Sequence, residues 1–206
     1  MSRGRERELK YLYAATRPPQ LPEGWSLEDE EPLLALQDTY LDSDGALAAR
    51  RWGLRRRGGE GRNIIYTLKR DAASAGALHN REEIEAVALG EAGEPDAAAL
   101  PDEIRTAVDH AFGPDAASRL RPTITLNQQR RSWTLVRQGA PVAVMTMDQV
   151  TDGKASWGEL EIEFVSSVSD HDVEHFAQEL HAALARDPQI SVSTESKGER
   201  ARRLSL

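Results

Sequence analysis

The chain has 206 residues, 34 acidic against 26 basic for a net charge of −8, and no cysteine. The missing thiols exclude disulfides, thiolate metal sites and cysteine nucleophiles, and the acidic balance excludes a protein that coats nucleic acid. No stretch approaches a membrane span and the N-terminus has no apolar run, so a cytoplasmic protein with no membrane partner is expected. One domain over residues 1–206 is the expected organisation.

Arg5 to Leu12 reads as a first strand. Glu6, Glu8 and Lys10 alternate within it and so share one face. The Pro- and acid-rich stretch from Thr16 begins as loop, and a short helix around Leu27 to Leu36 is expected if Pro32 opens it. Gln37 to Asp42 reads as a second strand and Leu47 to Arg57 as containing a third. Gly58 to Gly61 reads as a turn, and Arg62 to Arg70 as a fourth strand. Asp71 to Leu78 is loop-like, and His79 to Leu89 a fifth strand. Residues 90–121 look helical, with Pro101-Asp102-Glu103 opening one helix and Gly113-Pro114 ending it. Pro122 to Arg137, Val142 to Val150 and Gly158 to Ser166 are three further strands, with turns at Gly139-Ala140-Pro141 and Asp152-Gly153-Lys154. Ser169 to Arg186 is an amphipathic helix. The tail carries Lys197 and the basic Arg200, Arg202 and Arg203.

Charge recurs at strand parity along the chain: Arg55 and Arg57, Thr67 and Lys69, Arg81, Glu83 and Glu85, and Glu159, Glu161 and Glu163. One such strand suits a solvated edge. Repetition over five predicts an α+β fold: a closed eight-stranded antiparallel β-barrel with a polar, charged interior and helices packed outside.

Like charges gathered in such an interior raise one another's pKa values. Replacing Glu8 or Glu161 by Gln is therefore expected to relieve repulsion. Hard divalent cations relieve it too, and oxygen-only donors favour Mg²⁺ or Mn²⁺. The basic set is Lys10, Arg55, Arg57, Lys69, Arg81, Arg130 and Lys197, and arginine forks on facing walls suit a small polyanion such as a linear triphosphate. Arg56 points the other way. Arg130 and Arg131 have opposite parity and a bulge would swap them, so that choice stays open. Arg50, Arg51 and Arg62 read as solvating a hairpin.

The Glu6-x-Glu8-x-Lys10 run at the extreme N-terminus resembles the signature of the CYTH family, the triphosphate tunnel metalloenzymes. Later stretches match in order: Tyr40-Leu41-Asp42, Gly53 to Gly58, Thr67-Leu68-Lys69, Arg81 to Glu85, Arg130 to Trp133, Asp148, Glu159 to Glu163, and Ser196-Lys197. The likeness, greatest to the bacterial inorganic triphosphatases, runs from residue 6 to about 197; the helix after the first strand is shorter than is usual in the family. The resemblance implies hydrolysis of a triphosphate, inorganic tripolyphosphate first. It implies metal held by Glu6, Glu8, Glu161 and Glu163, with Asp148 completing a site and Glu159, at the tunnel mouth, counted in the same metal-holding set. It also gives Lys10 and Lys69 a part in local protonation, and a tunnel glutamate, Glu83, the orienting of water. The partner implied is a small-molecule triphosphate, not nucleic acid; the oligomeric state, monomer or homodimer, stays open.

Three other readings stand beside it. A class IV-type adenylate cyclase usually carries a His-Phe pair where this chain has Ser2 to Arg5. A thiamine triphosphatase needs an aromatic platform, for which Trp52, Trp133 and Trp157 are available. A non-catalytic polyphosphate-binding module would keep the basic wall and break the acidic one. The His171-Asp172-Val173-Glu174-His175 run fits a zinc-peptidase pattern, but Val173, Phe176, Ala177, Leu180 and Leu184 form the apolar stripe of that helix, which leaves both histidines facing solvent.

Overall fold

A computed structural model of the chain describes residues 2–59, 63–70, 74–75, 77–88 and 99–204. The strands are β1 (Ser2–Leu12), β2 (Trp25–Glu28), β3 (Leu34–Asp42), β4 (Gly53–Gly58), β5 (Ile65–Arg70), β6 (Ser74–Ala75), β7 (Leu78–Val87), β8 (Arg121–Arg137), β9 (Ala140–Thr151), β10 (Ser156–Phe164) and β11 (Ser191–Val192). Eight of them close a barrel in the order β1-β10-β9-β8-β3-β4-β5-β7, and β7 returns to β1. Every pairing is antiparallel. β1 makes the closure possible by its length: Ser2 to Leu9 pair with β7, and Glu8 to Leu12 with β10.

Alternation sorts the side chains. On β1, Glu6, Glu8 and Lys10 point in, while Leu9 and Tyr11 point out into an apolar cluster with Leu160, Ile162 and Phe164 of β10. The helix α3 (Asp170–Leu184) covers that cluster with Val173, Ala177, Leu180 and Leu184. On the other flank, Leu54, Tyr66, Leu68 and Ile84 pack against Ile104 and Val108 of α2 (Asp102–Phe112). The two larger apolar cores thus lie outside the barrel wall, and most of the interior is left to charge. Among the described residues no helix is long and apolar enough to cross a membrane.

Several expectations are corrected, among them the loop expected over Asp71 to Leu78, where Ser74–Ala75 pair with β7 as β6. The segment expected to be helical around Leu27 to Leu36 is β2, a coil and the start of β3. β8 is 17 residues long, so its edge beyond Arg130, where β3 begins, has unmet hydrogen bonds, and β2 supplies them from Trp25 to Glu28. The strand expected from Leu47 begins only at Gly53. Before it the Asp42 carboxylate accepts from the N–H groups of Ser43, Leu47 and Ala48 (2.7, 2.9 and 3.2 Å) and folds Ala46–Ala49 into the short helix α1. The basic tail is α4 (Lys197–Leu204), with Lys197, Gly198, Arg200 and Ala201 buried. The β8–β9 turn is Gln138-Gly139, both at positive φ (52° and 79°), the form that matches strand twist. Of the helix expected over 90–121, residues up to 98 lie outside the described ones, as do Arg62, Leu89 and most of the loop after Arg70.

α4 matters for the site because it enters the barrel. Ala201 joins Tyr40, Leu126 and Val150 in a small apolar cluster on inward-facing positions. Gly198 passes so close to the Tyr40 ring that a Cβ there would lie 2.8 Å from it. One part of the interior is therefore packed, and the remainder is a cavity.

Candidate polyanion and cation site

The cavity has a volume of about 620 Å³. β1 brings Glu6, Glu8 and Lys10 to its wall, β4 Arg55 and Arg57, β5 Lys69, and β7 Arg81, Glu83 and Glu85. β8 contributes Arg130, β10 Glu161 and Glu163, and α4 Lys197. Of the site residues expected from sequence, all but two stand on this wall. Asp148 and Glu159 lie beneath it, 1% and 0% exposed. Glu159, expected at the mouth, is instead bound to Lys10 (3.0 Å) and to the Trp157 indole N–H (2.7 Å).

The floor is an ion-pair network. Glu161 takes Lys197 at 2.7 Å, Lys10 at 3.0 Å and Arg130 at 3.4 Å. Asp148 accepts both Nε and Nη2 of Arg130 (2.8 and 2.6 Å) and lies 3.0 Å from Lys197. Burial alone would raise the Glu161 pKa, but Lys197, Lys10 and Arg130 outweigh it and hold the carboxyl well below the usual range. Burial likewise opposes the charge on Lys10, and Glu159 and Glu161 outweigh it, so its ammonium is strongly held.

A second buried carboxylate organises the opposite wall. Asp38, fully buried on β3, accepts Nε and Nη2 of Arg57 at 2.7 Å each and Nε2 of Gln128 at 2.6 Å, with Arg55 at 3.7 Å. Arg55 also donates to Thr67 (3.1 Å). Arg57 thus has one edge of its guanidinium fixed from behind and the other turned to the cavity, while Arg130 is held by Asp148, reaches Glu161 from Nη2 as well, and has Nη1 left for a ligand.

Higher on the wall the acids outnumber their partners. Lys69 donates to Oε1 of Glu6 at 2.5 Å, and Oε2 of Glu6 is buried with no hydrogen-bond partner among the described residues. Burial, with Glu6 and Glu161 nearby, raises Glu8 to about 7. Burial and Glu6 raise Glu163 to about 7 as well, and burial raises Glu83. A set of carboxylate oxygens with one buried oxygen unpartnered and two groups reluctant to ionise fits a hard divalent cation. As the side chains stand, no three acidic or histidine groups among the described residues converge on one point; Glu6 and Glu161 are turned onto lysines.

Arg130 is the inward member of its pair. The β8–β9 register is unbroken there and shifts only between Leu135 and Val136. Arg131 faces out to Glu30, the Thr16 carbonyl (2.8 Å) and the Trp133 ring. Arg56 does not line the cavity and is buried on the other face of β4. Sequence reasoning missed Asp38 and the cavity-lining Arg51 and His79. Asp38 was within reach, since it shares strand parity with Tyr40. Arg51 was not, because it sits at φ 58° after α1 and follows no strand alternation. Trp52 also lines the cavity, Trp133 lies in the outer core, and Trp157 serves Glu159. His171 and His175 are exposed on α3.

A closed antiparallel barrel that gathers acidic and basic side chains around one interior cavity is a tunnel architecture. The chain belongs to the CYTH domain family, whose model matches residues 4–201, and the fold is the CYTH triphosphate tunnel. It is similar to a Hippeastrum protein named as an adenylyl cyclase with a dominant triphosphatase activity (TM-score 0.65, 15% identity, 98% of this chain and 97% of that one). It is similar also to a Bacillus halodurans protein assigned as an adenylate cyclase (0.59, 18%, 86% and 98%) and to the PH1819 protein of Pyrococcus horikoshii (0.57, 16%, 96% and 99%). At these identities the likeness is one of fold. No curated protein matches the chain.

Proposed function

We propose that residues 1–206 form one catalytic unit that hydrolyses a triphosphate, inorganic tripolyphosphate in preference to others, with Mg²⁺ or Mn²⁺. The observation that carries this is the pairing of two intact walls: arginines aligned from behind by Asp38 and Asp148, facing the carboxylates of Glu6, Glu8, Glu161 and Glu163 on the same cavity. A module that only bound polyphosphate would need the first wall and would be burdened by the second.

Phosphoryl transfer asks a protein for positioning and charge neutralisation more than for covalent chemistry. The outer edge of Arg57 and Nη1 of Arg130, with Arg55 and Arg81, would bind the phosphate oxygens. Lys10 and Lys69 are held as ammonium by Glu159, Glu161 and Glu6, so their part is fixed positive charge and not proton transfer. Glu83, whose pKa burial raises, would orient the attacking water. Glu6, Glu8, Glu161 and Glu163 would hold the cations; Asp148, already ligated by Arg130 and Lys197, supports that wall from beneath, as Glu159 supports Lys10. A divalent cation bound there supplies charge neutralisation and a more acidic water.

The test is phosphate release from tripolyphosphate, ATP, thiamine triphosphate and pyrophosphate, with and without Mg²⁺ or Mn²⁺. Tripolyphosphate should turn over fastest and only with added cation. Cyclic AMP formed from ATP, with tripolyphosphate left intact, would replace this reading with a cyclase.

A further inference from the structure

One buried histidine on the cavity wall takes no part in the chemistry above. His79 on β7 is 2% exposed. Its Nε2 lies 2.9 Å from the Ser193 carbonyl oxygen, and its Nδ1 lies 3.1 Å from Nη2 of Arg81. A carbonyl only accepts, so Nε2 carries the proton, and Nδ1 is left with a lone pair that accepts from the guanidinium. Burial first, then Arg81 and Lys10, lower the imidazole pKa despite the Ser193 bond, which favours this neutral form.

The far end of the arrangement is itself fixed. Ser193 is 1% exposed. Its N–H donates to the Lys10 carbonyl (3.0 Å), and Nη2 of Arg200 donates to its Oγ (3.3 Å). The imidazole is thus braced between β7 and the segment that leads into α4. Arg81 is half-buried, long and flexible, and it lies in the field of two carboxylates, Glu6 and Glu199. Without an acceptor behind it, the guanidinium would pair with those cavity-lining carboxylates and present fewer N–H groups to a ligand.

We infer that His79 is a positioning residue: locked as the Nε2–H tautomer by Ser193, it holds the Arg81 guanidinium toward the cavity and thereby sets the affinity for the phosphates of the ligand. This rests on reading the cavity as a triphosphate site. The same inward alternation that places Arg81 on the wall places His79 beside it, two residues back on the same face of β7.

The two nitrogens can be tested apart. Asparagine puts an amide oxygen near the place of Nδ1 and keeps the acceptor for Arg81. Glutamine puts its NH₂ near the place of Nε2, keeping the Ser193 bond and losing that acceptor. Tripolyphosphate binding is measured by calorimetry in chelated, metal-free buffer on the full chain, and KM and kcat are measured separately with added Mg²⁺. His79→Phe and His79→Gln are expected to weaken binding by about tenfold and to raise KM more than they lower kcat, as for a lost charge-assisted contact. His79→Asn should stay within about threefold of the parent. In an Arg81→Met background, His79→Gln should add less than about twofold. Equal losses from Asn and Gln, or losses that add fully to Arg81→Met, would overturn the inference. Should His79→Phe fail to fold, the Asn and Gln pair decides alone. A parent that binds ATP but not tripolyphosphate contradicts the proposed substrate; the same cycle is then read with ATP, and its outcome decides for or against His79. A parent that binds neither overturns both.

Discussion

Arg57 lays Nε and Nη2 on the two oxygens of Asp38, each at 2.7 Å, inside a barrel where Asp38 itself is 0% exposed. Burial would push this carboxyl up, but Arg55 and Arg57 outweigh it and hold it far below the usual carboxylate range. The pair fixes one edge of the guanidinium and aims the other at the cavity. Asp38→Asn keeps the shape and removes the charge. It should lower stability by roughly 3 kcal/mol, because two guanidiniums lose their buried partner, and lower kcat/KM by about tenfold or more. Thermal melts and kinetics check both. The stabilising contribution is present above the unfolded carboxylate value and is lost as pH falls through the lower folded one. Parent-like melting and turnover would mean that Asp38 does not align the wall.

Glu8 and Glu161 face the same cavity yet should respond oppositely to Gln. Glu8 keeps its proton up to about 7 when folded, against 4.5 for an ordinary glutamate. Between those values the folded state binds more protons than the unfolded one, so stability falls as pH rises across that window. Glu163 behaves alike. Glu8→Gln in metal-free buffer should therefore raise Tm at pH 8 by at least about 2–4 °C, which is about 1 kcal/mol at this size, and change it little at pH 4.5. Glu161 instead carries Lys197, Lys10 and Arg130, so Glu161→Gln should lower Tm at neutral pH. This departs from the relief of repulsion expected for both from sequence. Both variants should lose cation-dependent turnover. Melts at the two pH values check the contrast, and a Tm gain for Glu161→Gln would refute it.

Gly198 sets the seat of α4. A methyl there would meet the Tyr40 ring at 2.8 Å, and Lys197, the preceding residue, holds Glu161 and Asp148. Gly198→Ala should cost about 1–3 kcal/mol by overpacking and reduce kcat/KM through a displaced Lys197. An unchanged melt would show that the ring yields freely.

Strand parity made most of this site legible in the sequence. Glu6, Glu8, Lys10, Arg55, Arg57, Lys69 and Glu161 needed only a period of two and the idea of closure, whereas Arg130 over Arg131 needed the unbroken β8–β9 register. What parity cannot supply is depth. Asp148 and Glu159 share the inward face with Glu161, yet they lie under the wall because neighbouring cations reach down to them. Nor does it reveal a segment recruited by another's unmet hydrogen bonds, as β2 is by β8. The eight-residue segment of α4, mostly polar and basic, gave no apolar stripe to mark it as buried; Lys197 is buried against charges within the barrel and only Ala201 joins the small apolar cluster there.

His171 and His175 are exposed on α3, on the side away from Val173, Ala177, Leu180 and Leu184. His171→Ala and His175→Ala should both keep the parent's kcat/KM. Loss of a zinc-dependent activity in either would point to a different site.

The central claim is that chemistry takes place inside the barrel and not on a basic surface. Arg55, Arg56 and Arg57 test it, because they share composition, local charge and long-range field but alternate in direction. Arg55 and Arg57 line the cavity, while Arg56 is buried on the outer face. The measurement is kcat/KM on tripolyphosphate for Arg55→Ala, Arg56→Ala and Arg57→Ala, each first shown to be folded. The expected result is a loss of roughly tenfold to more than a hundredfold at the first and third, from about 1.5–3 kcal/mol per charge-assisted phosphate contact. Arg56→Ala should leave kcat/KM near that of the parent and lower Tm through lost packing of its stem. Equal losses at all three positions would contradict the interior site.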